Sequence, residues 1–431
     1  MAGFCIFLGD PDSLHFFVRC AAVILRERTA GAIICRMPPP LSRRLGELSP
    51  SGTMAMRAAA ESRRAAGLPV FDLTAGEPDF RTPLTARLGA QEALREDKTR
   101  YTPVAGIPEL RTALAAEATH LAGGGARYSS ENIFVSAGAK AVLHQLFLAL
   151  LSPAAEFADR DEVLIPTPCW TSYPEQVKLA GGTPVFVDTV ATGWWPDPER
   201  LAAALTPRTR ALVICHPNNP TGAVIPPERL QALAEFCKAR EIWLLCDEVY
   251  LDFSYGAPAC SSLRYAWAGL IVVSAASKSY AMTGWRLGWA VAQPELIAAL
   301  TLLQSQTLTC ASSLSQWAAL RALTGDRGYL AQWRGEYQKR CKRLLSALAG
   351  IPGLRWAPPD GAFYLFLDCR EILARRGESS AQFAARLLSQ FGVGVVPGEA
   401  FLAPGFLRIS YAAADDILDS GALLLRAALS D

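Results

Sequence analysis

Residue types that mark several common functional classes are scarce in this chain. It contains only four histidines, at positions 15, 120, 144 and 216. Its 11 cysteines form no Cys-x-x-Cys pair and no Cys/His pattern at metal-ligand spacing. The sequence therefore predicts no metal site. Scattered cysteines of this kind indicate reduced, mostly buried thiols, which is typical of a cytoplasmic protein.

Charge imbalance and long apolar runs are also lacking. The net charge is +2, from 42 basic and 40 acidic side chains, and nucleic-acid-binding proteins instead concentrate Lys and Arg on one face. No run reaches the about 18 apolar residues that a membrane helix needs. We therefore expect neither nucleic-acid nor membrane binding. Residues 1–40 hold a short apolar run, too short for a signal core, and we predict that they are a disordered or spurious extension.

Apolar residues make up 51% of the 431 positions, enough for two domains with substantial cores. Short apolar strands alternate with helices along most of the chain, which predicts an α/β fold with a mainly parallel sheet covered on both faces. The predicted strands of this region are Ile133–Val135, Glu162–Ile165, Thr183–Val187, Ala211–Cys215, Ile242–Cys246, Leu270–Val273 and Trp289–Val291.

The pattern changes after about residue 325. A long helix over Tyr329–Leu348 is followed by short strands near Phe363–Leu367, Val393–Val396 and Leu407–Ser410, which predicts a smaller α/β domain. We expect a large domain over 86–325 and a small domain over 326–431. The segment 41–85 is predicted to pack with the small domain.

Polar residues follow the predicted strands at their carboxyl ends, the edge where open α/β sheets bind ligands. Lys278 comes just after Leu270–Val273, and a lysine amine can form a Schiff base with an aldehyde cofactor. A single loop lysine is more often a surface residue. Asp247 ends another strand, and a buried carboxylate needs a partner such as a protonated pyridine nitrogen. It could also be a helix cap or a metal ligand.

Three further features at this edge suit an anionic ligand. Asn219 lies in a turn of Pro, Asn, Thr and Gly, where its amide can donate to a phenolate oxygen or orient a carboxylate. The guanidinium of Arg286 matches phosphate oxygens. Gly138, Ala139 and Lys140 open a helix after a strand, and free amides there attract phosphate.

Taken together, the chain resembles the class I aminotransferases of pyridoxal-phosphate (PLP) fold type I, from about Leu41 to the end. Within them it is similar to bacterial aspartate aminotransferases, some of which also use prephenate. The similar stretches are LTAGEPDF, YTPVAGIPELR, PTPCWTSYPE, PNNPTGAV, CDEVY, SKSYAMTGWRLG, QWAAL, GAFY and VVPGEAF. The resemblance implies a large domain with a mainly parallel seven-stranded sheet.

The resemblance implies a role in cofactor binding for a set of residues. Lys278 holds PLP and shuttles a proton, Asp247 keeps the pyridine nitrogen protonated, and Tyr250 bonds the phenolic oxygen, so these three are the implied catalytic residues. The other implied cofactor contacts are Asn219 at the phenolic oxygen, Trp170 on the ring, and Gly138, Ala139, Lys140, Ser277 and Arg286 around the phosphate.

The resemblance also implies substrate contacts and a partner. Arg408 clamps the substrate α-carboxylate with help from Asn219, Trp170 and the Gly76 backbone. Lys140 is linked to the distal carboxylate of a dicarboxylic substrate, although a solvent-facing helical lysine is an equal interpretation. Tyr101 reaches the phosphate of a neighbouring subunit, which implies a homodimer with shared active sites.

Four positions depart from the family pattern. Ala275 replaces a phosphate-binding serine, Cys169 a tyrosine, and His216 a small residue. Ser49 lies near a lysine of the prephenate-using members, which weakens the prephenate interpretation.

We expect a ping-pong transfer of an amino group from an L-amino acid, aspartate above all, to 2-oxoglutarate. The same residues also serve enzymes that use aromatic, alanine or methionine donors, or that eliminate or replace groups at Cβ or Cγ in specialised biosynthesis. A PLP-binding regulator without turnover is a third alternative. It is disfavoured because the region before Leu41 is short and lacks a helix-turn-helix pattern.

Overall fold

The computed structural model describes residues 42–154 and 156–430. The predicted extension over residues 1–40 lies outside this range. The strands are β1 Phe71–Asp72, β2 Ile133–Ser136, β3 Glu162–Thr167, β4 Thr183–Asp188, β5 Thr209–Cys215, β6 Trp243–Asp247, β7 Leu270–Ala275, β8 Gly288–Val291, β9 Arg355–Trp356, β10 Tyr364–Asp368, β11 Val393–Gly394, β12 Val396–Pro397 and β13 Phe406–Ser410.

The helices come before, between and after these strands. They are α1 Gly52–Ala65, α2 Leu84–Arg95, α3 Pro108–Leu121, α4 Ala139–Leu150, α5 Ser172–Leu179, α6 Pro198–Ala203, α7 Pro227–Ala239, α8 Ala276–Ser279, α9 Pro294–Ser305, α10 Ser313–Thr324, α11 Tyr329–Leu348, α12 Arg370–Arg376, α13 Ser380–Arg386 and α14 Asp415–Ser430. None of the helices in the described ranges is long and apolar enough to cross a membrane.

The central sheet has seven strands in the order β2-β8-β7-β6-β5-β3-β4. Only β8 runs antiparallel to its neighbours, β2 and β7, and the other pairs are parallel. Strands β2, β5, β6 and β7 are buried almost throughout, because helices cover both faces of the sheet. The predicted mainly parallel seven-stranded sheet is confirmed.

Parallel pairing brings the ends of β5, β6 and β7 to one edge. Cys215 is opposite Asp247 in the β5–β6 register, and Lys278 follows β7 within the short helix α8. Next to Cys215, the ring of buried His216 accepts a hydrogen bond from the Ile225 amide at Nδ1 (3.0 Å), and its Nε2 lies 3.1 Å from the Cys260 carbonyl. His216 therefore ties together the loops behind the site.

A second sheet contains β12, β13, β10 and β9, all antiparallel. Arg408 is the middle residue of β13, opposite Phe366 on β10 and Val396 on β12. Strand β1 pairs separately with β11, so the chain before residue 85 contacts the C-terminal part. Residues Gly46–Asp431 form one contact unit, and the domain boundaries near 85 and 325 stay predictions.

Helices α2, α9 and α10 were not among the sequence-predicted elements. The sequence of α2 contains Gly89, which ordinarily weakens a helix, and no side chain caps its start. The structure gives Gly89 a packing reason, because a Cβ there would lie 2.7 Å from the Arg321 side chain of α10. Helix α2 is therefore stabilised by close packing against α10. The sequence of α2 alone does not predict this contact.

Candidate active site

A cavity of about 340 Å³ lies at the carboxyl edge of the central sheet. It brings together the sequence-predicted site residues except Gly138 and Tyr101. Tyr101 is 86% exposed and does not line it. The predicted residues that line the cavity are Gly76, Ala139, Lys140, Trp170, Asn219, Asp247, Tyr250, Ser277, Lys278, Arg286 and Arg408.

Lys278 projects into the cavity from the single turn of α8. Its Nζ donates a hydrogen bond to the Gly76 carbonyl, so the amine is directed at the loop that follows β1. Burial is the main cause that lowers the pKa of Lys278 to about 8, and the carboxylate of Glu77 opposes this shift. A lysine with such a pKa is partly neutral near physiological pH and can act as a base or nucleophile.

Asp247 is 3% exposed, and no ion pair to it occurs in the described part of the chain. Neutral donors hold it instead: Tyr173 Oη donates to its Oδ2 over 2.7 Å, and the Val249 amide lies 3.3 Å from its Oδ1. Burial raises the pKa of Asp247 to about 6, while the Tyr173 hydrogen bond opposes this rise. A cationic ring nitrogen is the kind of partner that this carboxylate lacks.

Arg408 is a buried cation that also lines the cavity, and it is 2% exposed. Its Nη1 donates to Asn219 Oδ1 (3.0 Å), and its Nη2 donates to the Thr74 carbonyl (2.7 Å). Its Nε has no hydrogen-bond partner among the described residues. Because Asn219 uses its oxygen for Arg408, its amide nitrogen is left to donate to a ligand. A carboxylate would supply the charge that Arg408 lacks.

An anion-binding corner forms where α4 begins. Gly138 precedes the helix at a φ of +92°, and a Cβ there would lie 2.7 Å from Arg286 Nη2. Glycine therefore lets the guanidinium approach the helix start, whose first amides have no acceptor within the helix. Lys140, in the first turn, places its Nζ 5.1 Å from the Trp170 ring centroid. Two cations and a helix N-terminus thus converge on one corner.

Sequence reasoning missed two tyrosines that support the site. Tyr173, which holds Asp247, also packs edge-on against Trp170 with ring centroids 5.4 Å apart. The Tyr173 amide donates to the Trp170 carbonyl (3.2 Å) at the turn that starts α5, but the bond to Asp247 joins residues 74 positions apart, which no local pattern predicts. Tyr364 lies 2.8 Å from Tyr250, oxygen to oxygen. No local pattern connects that pair.

The start of α1 also lines the cavity, through Ser51, Thr53 and Met54. In the sequence these residues do not follow a strand, so the search for polar residues after predicted strands could not identify them. The preceding residue Ser49 donates its amide to Glu175 Oε2 of α5 over 2.8 Å. Segment 49–54 is thereby held beside the cavity.

The chain is similar to known proteins over most of its length. The family model for aminotransferase class I and II matches residues 69–418. The aspartate/prephenate aminotransferase of Thermus thermophilus is 42% identical over 382 residues, 88% of this chain and 96% of that protein. The aspartate aminotransferase of Geobacillus stearothermophilus is 39% identical over 386 residues, with the same coverages.

The fold is similar to that of solved structures. The aspartate aminotransferase from Thermus thermophilus with maleate has a TM-score of 0.85 at 41% identity, covering 90% of this chain and 99% of that one. The aspartate aminotransferase from Rhizobium meliloti has a TM-score of 0.85 at 35% identity, covering 90% and 98%. The fold prediction is therefore confirmed by both its sheet and its neighbours.

The contact between Tyr173 and Asp247 gives a first prediction. In Tyr173→Phe the carboxylate loses a hydrogen-bond donor, so we expect its pKa to rise from about 6 by about one unit or more. Infrared spectroscopy of the carboxyl band across pH measures this, with Asp247→Asn identifying the band. An unchanged midpoint in Tyr173→Phe would show that the hydroxyl does not stabilise the ionised carboxylate.

Proposed function

This chain belongs to the class I and II aminotransferase family and is an aminotransferase, and we propose that it uses PLP to move the amino group of L-aspartate to 2-oxoglutarate. The observation that carries the proposal is a set of buried or part-buried ionisable groups that line one cavity and form no ion pair among the described residues. Lys278, Asp247 and Arg408 each match one part of a PLP–amino acid pair.

The residues of the cavity fit PLP at each end. A protonated ring nitrogen would give the Asp247 carboxylate the positively charged partner that it lacks among the described residues. The Gly138 turn and Arg286 offer amides and a guanidinium for a phosphate. Tyr250 and the Asn219 amide would donate hydrogen bonds to a phenolate oxygen. The Trp170 ring lines the cavity and can cover one face of the pyridine ring.

When bound, PLP supplies an electron sink that stabilises negative charge at the substrate Cα. The chain supplies the rest. Lys278 Nζ would take the proton from the substrate Cα and deliver it to the cofactor carbon that is bonded to the transferred nitrogen. A lysine pKa of about 8 is suitable for this transfer. Arg408 and Asn219 fix the α-carboxylate so that the Cα–H bond faces Lys278. The same groups then act on the 2-oxo acid in reverse, which makes the mechanism ping-pong.

The mouth of the cavity favours a dicarboxylic substrate. Lys140 lies there, and partial burial of its amine together with the nearby charge of Arg286 lowers its pKa. A second carboxylate would relieve this repulsion. The relatives named above are called aspartate or aspartate/prephenate aminotransferases, and one was solved with maleate, a dicarboxylate. These names support aspartate as the donor.

The proposal includes a homodimer with shared sites. Tyr101 is a large, mostly exposed side chain that lies outside the cavity of its own chain. An exposed tyrosine in an ordered loop suits a contact with a second copy. We assign it to the phosphate of the neighbouring subunit.

The cofactor and the donor are tested in one half-reaction. PLP-loaded wild type should show visible absorption that Lys278→Ala lacks. In the absence of any oxo acid, L-aspartate or L-glutamate should make this absorption band disappear, because the amino group is transferred to the bound cofactor. Faster conversion by an aromatic amino acid, alanine or methionine, or return of the band with a released product, would contradict the aspartate aminotransferase assignment.

Lys140 separates dicarboxylic from other donors. In Lys140→Ala we expect kcat/KM for aspartate to fall roughly tenfold or more, the effect of losing one charged hydrogen bond. The same constant for alanine should change little, which makes alanine the internal control. Equal changes for both donors would assign Lys140 to the phosphate or to the fold rather than to the distal carboxylate.

Shared active sites are tested by mixing two inactive subunits. Tyr101→Phe with Lys278→Ala, refolded or expressed together, should form hybrid dimers in which one site has both native residues. We expect the mixture to be more active than the two variants measured apart. Activity that is merely additive, or Tyr101→Phe that is fully active alone, would contradict this role of Tyr101.

A further inference from the structure

Tyr364 has no role in the assignments above, yet it lies at their centre. It is the first residue of β10, is fully buried, and lines the same cavity as Lys278. Its hydroxyl is 2.8 Å from the hydroxyl of Tyr250. Its ring lies 4.5 Å from the guanidinium carbon of Arg408. The hydroxyl of Tyr364 therefore contacts Tyr250, which is proposed to bind the cofactor, and its ring face contacts Arg408, which is proposed to bind the substrate.

The loop after β1 completes this arrangement. A Cβ added to Gly76 would lie 3.3 Å from Tyr364 Oη, so the glycine leaves room for the hydroxyl. The Gly76 carbonyl in turn accepts the hydrogen bond from Lys278. Tyr364 thus lies between the loop that meets Lys278 and the tyrosine that follows β6.

The hydroxyls of Tyr250 and Tyr364 have one proton each, and this restricts how they can be oriented. Burial raises the pKa of both Tyr250 and Tyr364, so both are neutral. The other ionisable groups that act on Tyr364 are Arg408 and Cys215. A neutral hydroxyl donates one hydrogen bond only. If Tyr364 donates to Tyr250, the proton of Tyr250 is free to point into the cavity toward a ligand oxygen.

The ring acts on Arg408 through a different contact. A guanidinium over an aromatic face is attracted by the ring quadrupole, and the attraction is larger when both are shielded from water. Arg408 is buried and has no ion pair among residues 42–154 and 156–430. The rings of Tyr364 and Phe401 flank it, with Phe401 at 4.9 Å. The aromatic faces keep the guanidinium in place while no carboxylate is bound.

We propose that Tyr364 is a positioning residue with two separable parts. Its hydroxyl directs the Tyr250 hydroxyl toward the phenolate oxygen of PLP, and its ring holds Arg408 in the orientation that receives the substrate α-carboxylate. The inference rests on the proposed function, since it names what Tyr250 and Arg408 bind.

Two substitutions separate the two parts. Tyr364→Phe removes the hydroxyl and keeps the ring, whereas Tyr364→Leu removes both. The matched control is Tyr411→Phe, because Tyr411 is also fully buried and its hydroxyl contacts another tyrosine, Tyr255, at 3.0 Å. Tyr411 does not line the cavity.

The readouts are the dissociation constant of PLP from the enzyme without substrate, the pH midpoint of the visible band, and KM for L-aspartate. In Tyr364→Phe we expect PLP binding to weaken about five- to tenfold and the pH midpoint to move, with KM within about twofold of wild type. In Tyr364→Leu we expect the same cofactor changes and a further rise in KM of roughly tenfold. Tyr411→Phe should change none of the three.

Two results would overturn the inference. Cofactor readouts of Tyr364→Phe that match those of Tyr411→Phe would remove the role of the hydroxyl. A KM in Tyr364→Leu no higher than in Tyr364→Phe would remove the role of the ring, and Tyr364→Met replaces the leucine variant if that variant does not fold. Wild type that takes up no PLP would instead contradict the proposed function itself, so the two failures are distinct.

Discussion

A charged side chain that is buried without an ion pair is unfavourable by several kcal/mol. Around one cavity this chain places the buried Asp247 and Arg408 and the part-buried Lys278, none of them in an ion pair among the described residues. Neutral groups hold them: Tyr173 bonds Asp247, Asn219 bonds Arg408, and a backbone carbonyl accepts from Lys278. Such contacts fix direction without neutralising charge. A cationic ring nitrogen would neutralise Asp247, a carboxylate would neutralise Arg408, and an aldehyde would react with the amine of Lys278.

The fold meets this constraint by combining two sheets. Parallel pairing of β5, β6 and β7 sets Asp247 and Lys278 at one edge, while antiparallel pairing of β13 with β10 sets Arg408 beside Tyr364. Each sheet alone carries only part of the site. Tyr250 and Tyr364 join the two parts through their hydroxyls. Under the proposed function, this contact couples the position of the substrate carboxylate to the position of the cofactor oxygen.

The sequence was sufficient to predict features that depend on residues close together in the chain. Apolar runs located the strands of the central sheet, and polar residues after those runs located Asp247, Lys278 and Asn219. It did not predict α2, whose Gly89 is explained only by contact with α10. Tyr173 and Tyr364 were missed for a related reason, since their roles depend on partners 74 and 114 residues away. Lys140 stays a prediction, because only a bound substrate would distinguish a binding lysine from a solvent-facing one.

The central claim is that Asp247 is kept buried and unpaired for a ligand. The direct measurement is the free energy of unfolding of PLP-free wild type and Asp247→Asn as a function of pH. Because burial raises the pKa of Asp247 from 3.8 to about 6, ionisation destabilises the folded state above that interval and not below it. We predict that Asp247→Asn is more stable than wild type by about 1 to 3 kcal/mol above pH of about 6, equal to it below 3.8, and less stabilised by added PLP than wild type is. A variant that is less stable than wild type above pH of about 6 would show that the carboxylate serves the fold, and would contradict the account.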